Sequence, residues 1–170
     1  MLLFKDIISG DELFSDAYPL KEVDDIVYEV DCAMISPDNA DNIDIGANPS
    51  AEGGDDEEVA DSNTEKVNNV VYSFKLAPST FDKKTYMSYI KGYMKAIKKK
   101  LEVSNPERIS IFEKQATTFI KKVLGNFKDY EFYVGESMDP DGMVALLNYR
   151  EDGIIPYFTF FKDGVKEEKL

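Results

Sequence analysis

The 170-residue chain has no histidine and no tryptophan, and its one cysteine is Cys32. Without imidazole there is no Ser-His-Asp triad and no Cys-His pair. One cysteine cannot supply a Cys/His zinc site or an internal disulfide, and it fits a reducing compartment. No apolar run approaches the roughly 20 residues that cross a bilayer. The start, MLLFKDIISGDELF, lacks a basic leading segment, and Asp6 interrupts it early. It reads as a first strand rather than a secretory signal, so a cytosolic protein is expected. There is no Walker loop, no G-x-G-x-x-G stretch and no carboxylate pair at a defined spacing. No enzyme is expected; carboxylate chemistry is the one catalytic class that composition leaves open.

What is present suffices for one domain over residues 1–170, with hydrophobic residues at 43%. The net charge of −13 is unevenly spread. Ser79 to Lys128 holds twelve Lys/Arg against four Asp/Glu, a charge of +8, and the rest holds eight against twenty-nine, a charge of −21. A basic block in an acidic chain is either a solvated helical face or a face for an acidic partner. Nucleic acid is not expected, because aromatics interleave with Lys98, Lys99 and Lys100 only at core-face spacing and the overall charge opposes phosphate. Asn48-Pro49-Ser50 is no glycosylation site, since proline follows the asparagine.

Along the chain, LLFKDI reads as a buried strand and SGDELFSDAYPL as turn-rich. DIVYEVDCAM alternates, with Ile26, Tyr28, Val30 and Cys32 on one face and Val27, Glu29 and Asp31 on the other. Cys32 is therefore expected in the core. Residues 37–66 form a polar, acidic stretch that cannot offset its ordering entropy and is expected to be mobile in its second half. VNNVVYSFKLA returns to strand character.

A basic helical hairpin is predicted over residues 79–126. Ser79 with Asp82 fits a capping box. Tyr86, Ile90, Tyr93, Ile97 and Leu101 make one helix face, and Phe112, Ala116, Phe119, Ile120 and Val123 a second. Asn105 and Pro106 break and restart the helix, and Gly125 stops it. Strands resume at Tyr130, with turns at MDPDG, at Asp152-Gly153 and at KDG. The layout predicts an α+β domain, mostly antiparallel sheet with an inserted helical hairpin. For metal, the EF-hand template fails, since Ile43 stands third from Asp41. Asn48, Glu52, Asp55 and Glu136 could assemble a loose, weak calcium site, or they are solvated charge.

IGANPSAEGG and FKDYEFYVGESMDPDGMVALLNYRE strongly resemble the two signatures of the translationally controlled tumour protein family. LLFKDIISGDELFSDAY and YIKGYMKAIKKKL resemble it too, and the wording is similar to fungal members. The resemblance covers all but the acidic stretch. It implies a tent-like β-sheet fold with a projecting helical hairpin, similar to chaperones of Rab GTPases. It implies an abundant cytosolic protein, partly cytoskeleton-associated, that acts in translation and growth control. Its implied partners are small GTPases of the Rheb type, translation elongation factors, tubulin and survival proteins. No cofactor is required, and calcium is bound at most weakly.

Residue by residue, Glu12 matches the position associated with GTPase contact. Asn48, Ser50 and Glu52 fall in the first signature and Glu136 in the second. These five would line one groove, where a carboxylate competes for the magnesium or P-loop lysine of a nucleotide-free GTPase. The alternative is that Asn48, Ser50 and Glu52 fix their loop by turn hydrogen bonds. Lys83, Lys84, Lys91, Lys95, Lys98, Lys99 and Lys100 correspond to the tubulin-binding region. Some animal members dimerise through a terminal cysteine; the last residue here is Leu170, so a monomer is expected. A serine phosphorylated in animal members is here Asp44.

Overall fold

The computed structural model describes residues 1–36 and 66–169. Among them, strands β1 (Leu2–Asp6), β2 (Glu12–Ser15), β3 (Leu20–Val23), β4 (Val27–Asp31) and β5 (Met34–Ile35) come first. After the undescribed stretch follow β6 (Val67–Asn68), helix α1 (Asn69–Phe74) and β7 (Ala77–Ser79). The hairpin helices are α2 (Lys83–Ser104) and α3 (Arg108–Gly125). Strands β8 (Glu131–Val134), β9 (Ala145–Tyr149), β10 (Pro156–Phe161) and β11 (Val165–Lys169) complete the chain. Every strand pair is antiparallel. The sheets run β11-β1-β2, β3-β4-β10-β9-β8-β7 and β5-β6. This is the α+β arrangement that the sequence predicts.

The core lies between the sheets and the helical hairpin. Phe14 stacks between Phe4 (4.4 Å between ring centroids) and Phe160 (4.3 Å), joining the three-stranded sheet to the six-stranded one. Helix α2 buries Tyr86, Ile90, Tyr93, Ile97 and Leu101, the face read from the four-three-four-four spacing. Helix α3 buries Phe112, Ala116, Ile120 and Val123, while Phe119 is half-buried with its ring edge toward Phe161. On β4, Val30 is buried, with Ile26 and Cys32 flanking it, and Val27 of the opposite face is buried as well.

Four local expectations are corrected. SGDELFSDAYPL is not all turn: β2 lies within it, with Leu13, Phe14 and Ser15 buried against β1. VNNVVYSFKLA is mostly helix, because the Asn68 side chain accepts hydrogen bonds from Val70 N (2.8 Å) and Val71 N (3.1 Å) and starts α1. Lys75, left-handed at φ 56°, ends that helix. The cap of α2 is Asp82, not Ser79, which belongs to β7 opposite Phe132. Asp82 Oδ1 accepts from Thr85 N (2.8 Å), and Thr85 Oγ1 accepts from Asp82 N (3.0 Å), a reciprocal box. Finally, α3 begins at Arg108, two residues past Pro106.

Arg108 ties the hairpin tip to the sheets. Its Nε and Nη2 donate to the two carboxylate oxygens of Asp163, both at 2.9 Å. Nη1 donates to Asp25 Oδ2 at 2.6 Å, and Nη2 also donates to the Asp25 carbonyl. Asp24 and Asp25 hold left-handed conformations (φ 54° and 58°) that turn this carbonyl toward the guanidinium. Both carboxylates, Asp163 foremost, raise the Arg108 pKa beyond its already high value.

A candidate partner-binding cleft

The residues between β1 and β2 are shaped by Asp6, which is buried. Its Oδ1 accepts from Ile8 N (2.8 Å), and its Oδ2 accepts from Ser9 Oγ (2.9 Å) and Met143 N (2.7 Å). One carboxylate thus joins the first turn to the DPDGM segment. Tyr89 of α2 adds a third element. Its hydroxyl donates to Gly142 O (2.7 Å) and accepts from Val144 N (3.0 Å).

Gly10, at φ 82°, turns the chain so that Asp11 meets the segment after β8. Asp11 Oδ2 accepts from Ser137 Oγ (2.7 Å) and Ser137 N (3.2 Å). At Gly135 a Cβ would lie 2.4 Å from that oxygen and 2.6 Å from Asp11 Cβ, so the two turns touch only because glycine stands there. Beside this junction opens a cleft of about 420 Å³, lined by Glu12, Glu136, Lys75, Ser73 and Phe74 with residues 10 and 11. Helix α1 delivers its far wall.

The cleft is charged rather than apolar. Glu12 is exposed at the start of β2 and forms no ion pair among the described residues. Glu136 Oε2 lies 3.8 Å from Lys75 Nζ, a loose exposed pair of small strength. Asp11 is occupied by Ser137. Glu12 therefore remains to meet a cationic group from outside, beside a Glu136 that Lys75 holds only loosely.

Of the five residues read as one groove, two fall within the described residues. Glu12 and Glu136, 124 positions apart in sequence, share one cleft. Asn48, Ser50, Glu52 and Asp55 lie outside the described residues, as does the acidic stretch. Asp11, Ser73 and Lys75 were not singled out by sequence, and Lys75 stood in a segment read as strand. Among the described residues no group of three or more His, Cys, Asp or Glu side chains is placed to hold a metal. Glu136, the described member of the calcium set, faces an ammonium, so it does not by itself fit a cation.

On the hairpin, Lys83, Lys84, Lys91, Lys95, Lys99 and Lys100 are exposed. Lys98 donates instead to Glu113 Oε2 (2.8 Å), linking α2 to α3. By helical spacing Lys84, Lys91, Lys95 and Lys98 share one flank of α2, and Lys100 lies on the other. Cys32 is a core thiol, as expected, and burial pushes its pKa up to about 11. No helix among the described residues is long and apolar enough to cross a membrane.

Residues 1–166 match the model of the translationally controlled tumour protein family. The chain belongs to that family. It is 69% identical to the family's homolog of Schizosaccharomyces pombe and 59% identical to that of Saccharomyces cerevisiae, over the full length of both chains in each case. The solved structure of the translationally controlled tumor-associated protein of S. pombe superposes with a TM-score of 0.83 at 68% identity, covering 100% of each chain. That of the Caenorhabditis elegans family member gives 0.72 at 32% identity, covering 100% of this chain and 99% of that one. Family membership accounts for the two signatures, of which the second forms β8, the DPDGM turn and β9.

Proposed function

We propose that this member of the translationally controlled tumour protein family is a non-enzymatic, cytosolic binding protein. It acts in translation and growth control and engages small GTPases of the Rheb type, and elongation factors, through the cleft at Glu12. The observation that carries this reading is the meeting of Glu12 and Glu136 in one exposed acidic cleft. A nucleotide-free GTPase presents a P-loop lysine that has lost its phosphate partners, and an unpaired carboxylate is its natural counter-charge. The test is a titration of the amide-labelled protein with such a GTPase. Shifts should gather at residues 10–12, 73–75 and 135–138, and Glu12→Lys should weaken binding about tenfold, the scale of one well-placed ion pair. Unshifted cleft amides in a folded spectrum would remove this reading.

A second contact is proposed for microtubules, favoured by the lysine flank of α2, with part of the protein on the cytoskeleton and the protein itself a monomer. Replacing Lys84, Lys91 and Lys95 with glutamate should abolish co-sedimentation, and wild-type binding should weaken as salt shortens the screening length from about 10 Å at 0.1 M. Calcium enters this proposal only as an ion weakly held by Asn48, Glu52, Asp55 and Glu136 together.

A further inference from the structure

Between the C-terminal part of α2 and β11 lies an open groove of about 930 Å³. Its size falls within the range of small-molecule pockets, about 300–1,000 Å³. The floor is apolar: Leu101 is 7% exposed, and Ile7, Tyr28, Ala96 and Val165 are half-buried. Val103, 89% exposed, stands at the edge without apolar cover. Lys99 and Lys100 are exposed along the rim.

The charges of this groove do not cancel. Asp163 is occupied by Arg108. Lys162 is occupied by Glu22 (3.2 Å) and Asp25 (2.7 Å). Lys99 and Lys100 form no ion pair among the described residues, and the one unpaired carboxylate lining the groove is that of Glu167. A recessed apolar floor under a cationic rim, in a chain of net charge −13, selects a ligand that is greasy at one end and anionic at the other.

We propose that this groove binds a single-chain anionic amphiphile, a long-chain carboxylate whose tail lies along the floor and whose headgroup meets the lysines of the rim. The recess suits one inserted chain better than a flat bilayer. The site is separate from the acidic cleft, and it lies on the flank of α2 away from Lys84, Lys91 and Lys95.

The full-length protein, amide-labelled, is titrated with dodecanoate below its micelle concentration. Saturable shifts are expected at Ile7, at 96–104 and at 165–167. Lys100→Gln and Val103→Asp should each weaken binding about five- to tenfold, and neutral dodecanol should bind at least about tenfold more weakly than dodecanoate, since a charge-assisted contact is lost. Both substituted side chains are exposed, so the fold is kept, and an unchanged spectrum elsewhere verifies this. Shifts that do not saturate, or equal binding of dodecanol, would overturn the proposal. So would binding seen only with phosphatidylserine vesicles or only with a glutamate-rich peptide, which would reassign the groove to a membrane or to a protein.

Discussion

Asp6 accepts three hydrogen bonds from two distant stretches of chain, its own turn and Met143, while almost wholly buried. Asp6→Ala leaves those donors without partners and should destabilise the fold by about 3 kcal/mol in urea unfolding. Glu12 lies at the far end of the turn that Asp6 holds, so the same variant should also weaken GTPase binding. Cys32 carries a second prediction at this scale. Burial raises its pKa to about 11, so thiolate is scarce in the folded state. At about pH 8 it should resist thiol reagents until the protein unfolds, with labelling tracking the unfolding transition. Acid acts on other residues. Asp25 is held below its ordinary value of 3.8, mainly by the hydrogen bond from Lys162, and Asp82 below the same value, mainly by the Thr85 backbone N–H. The unfolded chain therefore takes up these protons at higher pH than the folded one. Their stabilisation is complete above the unfolded value and drains as pH falls through the lower folded one. Asp82→Asn should flatten that acid dependence of the thermal midpoint.

Among the elements, α1 is the short piece that aims Ser73 and Lys75 into the cleft. Asn68→Ala removes its cap and should cost about 1–2 kcal/mol. The shifts of residues 73–75 in the spectrum would report whether the cleft wall moves with it. This helix also marks where the sequence misleads. Its residues Val70, Val71, Tyr72 and Phe74 favour strand by propensity, and only the Asn68 carboxamide and the left-handed Lys75 turn the chain into a helix. Helix α2, by contrast, is legible, because its apolar residues repeat at helical spacing from Tyr86 to Leu101, about four turns. Its start was misplaced because Ser79 and Asp82 both suit a cap, and the reciprocal bond from Thr85 decides between them. In the cleft, Glu12 is identified by family resemblance alone, and Glu136 by that resemblance and by a loose clustering of carboxylates. Lys75 could not be seen at all, since its place depends on a turn that the periodicity of the segment conceals.

For the molecule as a whole, Arg108 is the link between the hairpin and the sheets. Arg108→Ala strands Asp163, whose side chain is 8% exposed, and should lower stability by about 3 kcal/mol. Arg108→Lys should recover only part of this, since an ammonium cannot donate to both oxygens of Asp163 in the same plane. The order of the strands has a different kind of consequence. β1 pairs with β11 and β4 with β10, so each of the two larger sheets joins the first residues of the chain to the last. On the ribosome β1 and β4 can pair early with β2 and β3, but their other neighbours, β11 and β10, arrive only late in synthesis. A chain released before Pro156 would keep its helices but lose a neighbour from both sheets, and quality control would meet it as an unfinished protein rather than a shortened one.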